Sequence, residues 1–113
     1  MSYRIELSTK FKKSIRNIKK SHRSIENDVD KLVLSLLENP HQGILIKDKV
    51  YKIRMAITSK GRGKSGGARV ITYVLDELEK LTLLDIFDKS EQENISDNEI
   101  QEIIDSLNFD EEE

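Results

Sequence analysis

Apolar positions along this chain recur with two different periods, and the change of period divides it into a helical part and a sheet part. Residues 3–7 alternate Tyr3, Ile5 and Leu7 with Arg4 and Glu6, the two-residue period of a short half-buried strand. Phe11, Ile15 and Ile18 then recur at i, i+4 and i+7, with Lys10, Lys12, Lys13, Arg16, Lys19 and Lys20 on the other sides. That spacing predicts an amphipathic helix capped by Ser8 or Thr9. After the break Ser21-His-Arg-Ser24, a second stripe follows through Ile25, Val29, Leu32, Val33, Leu36 and Leu37. This second helix should stop at Asn39, because Pro40 disfavours helical backbone in the residue before it. The pair reads as an antiparallel helical hairpin.

From residue 50 the period is two again. Tyr51, Ile53, Met55 and Ile57 share one face of a strand, and Lys52, Arg54 and Ala56 share the other. The nine residues Ser59-Lys-Gly-Arg-Gly-Lys-Ser-Gly-Gly67 contain no large apolar side chain and form a loop. Residues 68–75 are a β-rich run, residues 76–80 a polar turn, and residues 81–88 another strand, so three strands should form an antiparallel meander. Ser96-Asp-Asn-Glu99 has the spacing of a capping box and opens a last helix with Ile100, Ile103, Ile104 and Leu107 inward. The expected fold is α+β in the order β-α-α-β-β-β-α. It has a small antiparallel-rich sheet, the helical hairpin on one face and a C-terminal helix, with the second face open for function. Residues 1–108 should make one domain, and the acidic residues 109–113 a disordered tail.

Composition narrows the classes. The chain has 113 residues, 36% hydrophobic and 35% charged, enough apolar side chains for one core. No stretch approaches the roughly 18 consecutive apolar residues of a membrane span. Its first residues lack an apolar segment behind a basic one, so no secretion signal is expected and cytoplasmic residence is the simplest reading. The absence of cysteine excludes disulfides, thiolate chemistry and Cys-based zinc sites. Charge is divided unevenly: residues 1–72 hold 17 Lys and Arg against 6 Asp and Glu, and residues 73–113 hold 2 against 15. A basic body of this kind suits a polyanionic partner.

Candidate chemistry is scarce. His22 and His41 are the two imidazoles, neither beside a carboxylate at ligand spacing, and both read as surface histidines; no metal and no cofactor is expected. Gly61-Arg-Gly-Lys-Ser-Gly-Gly67 lacks the first glycine of a nucleotide-binding phosphate loop and precedes a strand instead of a helix. What remains is basic. Lys52 and Arg54 leave the same face of one strand, Arg69 opens the next strand behind a loop carrying Lys60, Arg62 and Lys64, and Lys89 ends the third. Taken singly, Lys52 or Arg54 is equally a solvent-facing residue of a one-sided sheet. Together with the loop, the set repels itself unless an anion binds it.

The segments Tyr51-Lys-Ile-Arg-Met-Ala56 and Gly61-Arg-Gly-Lys-Ser-Gly-Gly-Ala-Arg-Val-Ile-Thr-Tyr73 resemble the central motif of the RelE/HigB toxins of type II toxin–antitoxin systems. Leu83-Leu-Asp-Ile-Phe-Asp-Lys89 and Ile95-Ser-Asp-Asn-Glu99 are similar to its continuation, in the HigB-like branch. The resemblance implies a ribosome-dependent mRNA endoribonuclease that needs no metal and uses the substrate 2′-OH as nucleophile. On that likeness Lys52 and Arg54 would handle the 2′-OH proton or hold the phosphate. Arg69 would clamp the scissile phosphate, and Lys89 would stand near the leaving 5′-oxygen. Lys60, Arg62 and Lys64 would hold RNA backbone. Many members carry a C-terminal tyrosine; here Phe109 is the only aromatic after Phe87, so that role is empty or passes to Tyr73. The implied partners are a cognate antitoxin of helix-turn-helix type, the ribosome and mRNA, with operator DNA reached only through the antitoxin and no membrane. Two rival readings stand beside this one. A ParE-like gyrase poison shares the fold but generally lacks the full basic set. A non-catalytic RNA-binding module would display paired aromatics on its sheet.

Overall fold

The computed structural model describes residues 2–61 and 63–111, with side chains as far as Leu107; Met1, Arg62 and residues 112–113 lie outside the described residues. Strand β1 (Arg4–Leu7) leads into helix α1 (Thr9–Lys19), and α2 (Ile25–Glu38) follows. Four strands come next, β2 (Ile44–Lys47), β3 (Val50–Met55), β4 (Ala68–Leu75) and β5 (Lys80–Asp88), and then α3 (Asp97–Glu111).

Ser8 fixes how the first helix leaves the sheet. Its hydroxyl accepts the Phe11 amide at 2.9 Å as the helix cap and donates to the Leu84 carbonyl of β5 at 2.6 Å. One buried side chain therefore satisfies an open helix end and ties α1 to the sheet. Helix α2 ends before Pro40, as the sequence requires. At α3 the Glu99 amide donates to Ser96 Oγ at 3.1 Å and the Ser96 amide reaches back to Glu99 Oε1 at 3.5 Å, the reciprocal pair of a capping box.

The sheet order is β1-β5-β4-β3-β2. The meander β3-β4-β5 is antiparallel as expected, but β1 joins β5 in parallel, so the sheet is mixed. Strand β2 is an addition to the expected order. Its run Ile44-Leu-Ile-Lys47 lacks alternation, and it forms an edge with Ile44 69% and Leu45 58% exposed. Gly43 precedes it at φ +93°, where a Cβ would lie 2.4 Å from the Lys52 carbonyl oxygen.

Two apolar layers sandwich the sheet. Phe11, Ile25, Val29, Leu32 and Leu36 of the hairpin pack on Ile53, Met55, Val70, Val74, Leu81, Leu83 and Ile86. On the opposite face, Val50, Ile71, Leu84 and Phe87 meet Ile95, Ile100, Ile103 and Ile104 of α3 and its approach. The second face is therefore not free, as expected from sequence, but shared between α3 and a polar remainder. Helix α3 extends three residues into the expected tail. Among the described residues no helix is long and apolar enough to cross a membrane.

Candidate nucleic-acid interface

Alternation along β3 puts Lys52 and Arg54 on the face opposite the hairpin, because Ile53 and Met55 are buried beneath the hairpin itself. Arg69 of β4 is the direct cross-strand partner of Arg54, and Phe87 of β5 is the partner of Arg69. Lys89 follows two residues after Phe87. The structure thus puts Lys52, Arg54 and Arg69 on one sheet face across two adjacent strands, with Lys89 one residue past the end of β5.

Two arginines directly opposite each other repel, their Cα atoms being only about 4.5–5.5 Å apart in an antiparallel pair. Carbonyl dipoles offset this. Arg69 Nη1 donates to the carbonyl oxygens of Lys64 and Ala68, and Nη2 to that of Ser65, each at 3.2 Å. Arg69 is only 8% exposed, although the sheet face it leaves was expected to be open. Its cation is buried but solvated by the backbone of the basic loop.

The other cations have looser partners. Lys52 Nζ donates to Asn94 Oδ1 at 3.2 Å, and Lys89 Nζ meets Glu93 Oε1 at 3.1 Å. Glu93 is itself 91% exposed, so that pair is weak. The approach to α3, residues 93–94, thus lies over both lysines, a contact with no signal in the sequence spacing. A separate depression on the hairpin side, walled by Asp28 and Lys31 of α2 and by Ile53 and Met55, is bordered by Arg54 and exposed Lys64.

Lys60 and Tyr73 lie elsewhere. Tyr73 shares a strand face with Arg69 but stands four residues along, about 13 Å away at strand rise, packed beside Val50 and α3. Lys60 is not a free loop cation. Its side chain is 10% exposed, with Nζ donating to Asp88 Oδ1 at 2.8 Å, Gly66 O at 3.0 Å and Ser90 Oγ at 3.2 Å. Burial by itself would raise the Asp88 carboxyl, but hydrogen bonds from Lys60 and Ser90 overcome it and hold the group at about 2. His22 Nε2 contacts the other Asp88 oxygen at 3.0 Å, so His22 is a half-buried partner of the sheet and not a plain surface histidine.

The loop's root and end are fixed by further contacts. Asp28 of α2 accepts the Thr58 amide at 2.9 Å, and Ser24 Oγ accepts the Ser59 amide at 2.9 Å. At the other end the Lys89 amide donates to the Gly67 carbonyl at 3.0 Å. Gly67 is required there, since a Cβ would sit 2.2 Å from the Met55 carbonyl oxygen of β3.

Comparison with known proteins agrees with this architecture. The isolated E. coli RelE toxin superposes with a TM-score of 0.59 at 17% identity, covering 94% of this chain and 99% of that one. RelE in the intact E. coli RelBE toxin–antitoxin complex gives 0.58 at 19% identity, with coverage of 77% and 96%. A double-mutant E. coli RelE in complex with an antitoxin RelBc peptide gives 0.55 at 19% identity, with coverage of 80% and 90%. At such identities these structures establish a shared fold. The family model described as the RelE toxin of the RelE/RelB toxin–antitoxin system matches residues 4–106, and so nearly the whole chain, and this chain belongs to the RelE toxin family.

Proposed function

We propose that this toxin is a ribosome-dependent mRNA endoribonuclease that needs no metal and inhibits translation. The observation that carries the reading is the strand register that sets Arg54 opposite Arg69, with Lys52 two residues along β3 and Lys89 just past the end of β5. In the proposed reaction the 2′-oxygen of a nucleotide attacks its own 3′-phosphorus, and the bond from phosphorus to the 5′-oxygen of the next nucleotide breaks. The 2′-OH proton is lost and the leaving 5′-oxygen gains one, giving a 2′,3′-cyclic phosphate and a 5′-hydroxyl. Negative charge grows on the phosphate oxygens, and fixed cations stabilise it without reorganising.

Lys52 and Arg54 handle the 2′-OH proton or hold the phosphate, and Lys89 stands near the leaving oxygen. Arg69 spends both Nη1 hydrogens and one Nη2 hydrogen on the Lys64, Ala68 and Ser65 carbonyls, so its remaining Nε and Nη2 N–H groups, whose direction those bonds fix, are the ones that meet a phosphate. Lys64 and Arg62 are assigned to RNA backbone. Tyr73, a diagonal neighbour of Lys52 across β3 and β4, packs against the apolar layer that includes Val50 and serves the acid–base step from that side. The partner that holds the toxin inactive is a cognate antitoxin of helix-turn-helix type with an acidic segment for the basic surface. Operator DNA is reached only through it.

Expression of the chain alone in bacteria should arrest translation and leave mRNA cut within reading frames. Cleavage on programmed ribosomes should yield cyclic-phosphate ends. Should DNA synthesis halt first while translation continues, the gyrase reading replaces this one.

A further inference from the structure

Lys60 lies in the basic loop segment, yet its ammonium points away from the proposed RNA surface into an ion pair. Its three N–H donors find three acceptors, Asp88, Gly66 and Ser90. Asp88 in turn accepts the Ser90 amide at 3.0 Å and contacts His22 of the hairpin corner. Three successive carbonyls of the loop are therefore held from beneath. Those of Lys64 and Ser65 bind Arg69, and that of Gly66 binds Lys60. The next carbonyl, of Gly67, takes the Lys89 amide. Asp88 is tied through Lys60 to the Gly66 carbonyl, whose chain neighbours are the carbonyls that hold the Arg69 fork and the Lys89 amide.

We propose that Lys60 and Asp88 are a positioning pair, which holds residues 63–67 so that Arg69 and Lys89 present their cations in register for cleavage. The pair touches no substrate and acts through Arg69 and Lys89. The assignment rests on the endoribonuclease reading for its effect on rate, but its effect on the loop stands apart from that reading. The rival is that Lys60 binds RNA directly. The two differ in sign at Asp88. Removing the carboxylate frees Lys60 for RNA under the rival and strengthens binding, whereas under the positioning role it loosens the loop and slows the chemistry.

The experiment compares wild type with Asp88→Asn, Lys60→Met and Lys60→Arg. It measures single-turnover cleavage on saturating ribosomes, ribosome affinity across a salt series, and tryptic nicking after Lys64. For Asp88→Asn and Lys60→Met we expect cleavage slower by on the order of 100-fold, as for misplaced groups. Ribosome affinity should be within about twofold of wild type with an unchanged salt slope. Nicking should be several-fold faster, because local opening exposes the loop. Lys60→Arg should recover most of both, since a guanidinium can serve Asp88 and the Gly66 carbonyl together. Wild-type cleavage in Lys60→Met would overturn the proposal, as would tighter ribosome binding by Asp88→Asn. So would a salt slope lowered by about one in Lys60→Met. If Asp88→Asn does not fold, the two Lys60 variants decide. If wild type itself cuts no mRNA, the endoribonuclease reading fails. The nicking rates then decide alone: unchanged rates refute the pair's hold on the loop, and faster ones support it.

Discussion

Arg69→Lys separates two duties that one side chain carries. The guanidinium reaches the Lys64 and Ser65 carbonyls with different nitrogens, at 3.2 Å each, and Ala68 with a third bond. A lysine ends in one nitrogen and cannot span both loop carbonyls, so at least one charge-assisted bond is lost, worth about 1.5–3 kcal/mol where water is excluded. Lys64 and Ser65 are exposed, so a released carbonyl can turn to water, and the net cost falls to about 1–2 kcal/mol. For a chain of this length that lowers the melting temperature by roughly 4–10 °C. If Arg69 also stabilises the transition-state phosphate, cleavage should fall by a further 10²–10³ on the order of an oxyanion donor's loss. The assay pairs thermal melting with single-turnover cleavage at a temperature where both proteins are fully folded. Melting within about 1 °C of wild type would falsify the hold on the loop. Lower melting with wild-type cleavage would remove Arg69 from the chemistry while leaving its structural duty intact.

Gly67→Ala places a methyl 2.2 Å from the Met55 carbonyl, so β3 and β4 must part by about 1 Å. A loss of roughly 1–3 kcal/mol is expected in urea titration, and an unchanged midpoint would show that this approach is not tight. Asp85→Asn should stabilise the protein at neutral pH. Burial raises the Asp85 carboxyl despite hydrogen bonds from Ser14 Oγ and the Ile86 amide, and the asparagine oxygen keeps both. Because the folded value lies above the unfolded one, ionised Asp85 costs stability at neutral pH, and the cost fades as pH falls toward about 4. The variant's advantage in melting temperature should shrink over the same range; a constant advantage from neutral pH to pH 4 would refute the cause.

The hairpin, the meander and the capped last helix were legible because each rests on a periodicity or a cap that local sequence dictates. Ser96 and Glu99 meet as their spacing requires, and Pro40 ends α2. The face shared by Lys52 and Arg54 followed from alternation alone. Strand β2 was not legible, since Ile44, Leu45 and Ile46 show no alternation and only pairing with β3 makes them a strand. The parallel join of β1 to β5 is a contact between residues far apart in sequence, beyond any local pattern. At the site, proximity in sequence misled for Lys60. It belongs to a charge-rich loop segment, and only the fold reveals that Asp88, 28 residues away, has claimed it. Arg69 showed the converse: its position was legible, but its burial under carbonyls of its own loop was not.

The placement of β5 has a consequence for synthesis. It is the last strand made, yet it lies between β1, the first, and β4. Until it emerges, β1 has no neighbour to pair with, Ser8 has no Leu84 carbonyl to hook, and Lys60 has no Asp88. Closing a contact across so much chain is slow relative to local helix formation. A nascent or truncated chain that stops short of residue 80 can form its hairpin and carry nearly all of its positive charge, yet β4 has a bare edge, Lys60 lacks its carboxylate and Lys89 is missing. The basic surface comes into register only once almost the entire chain has been translated, so the timing of assembly is written into strand order.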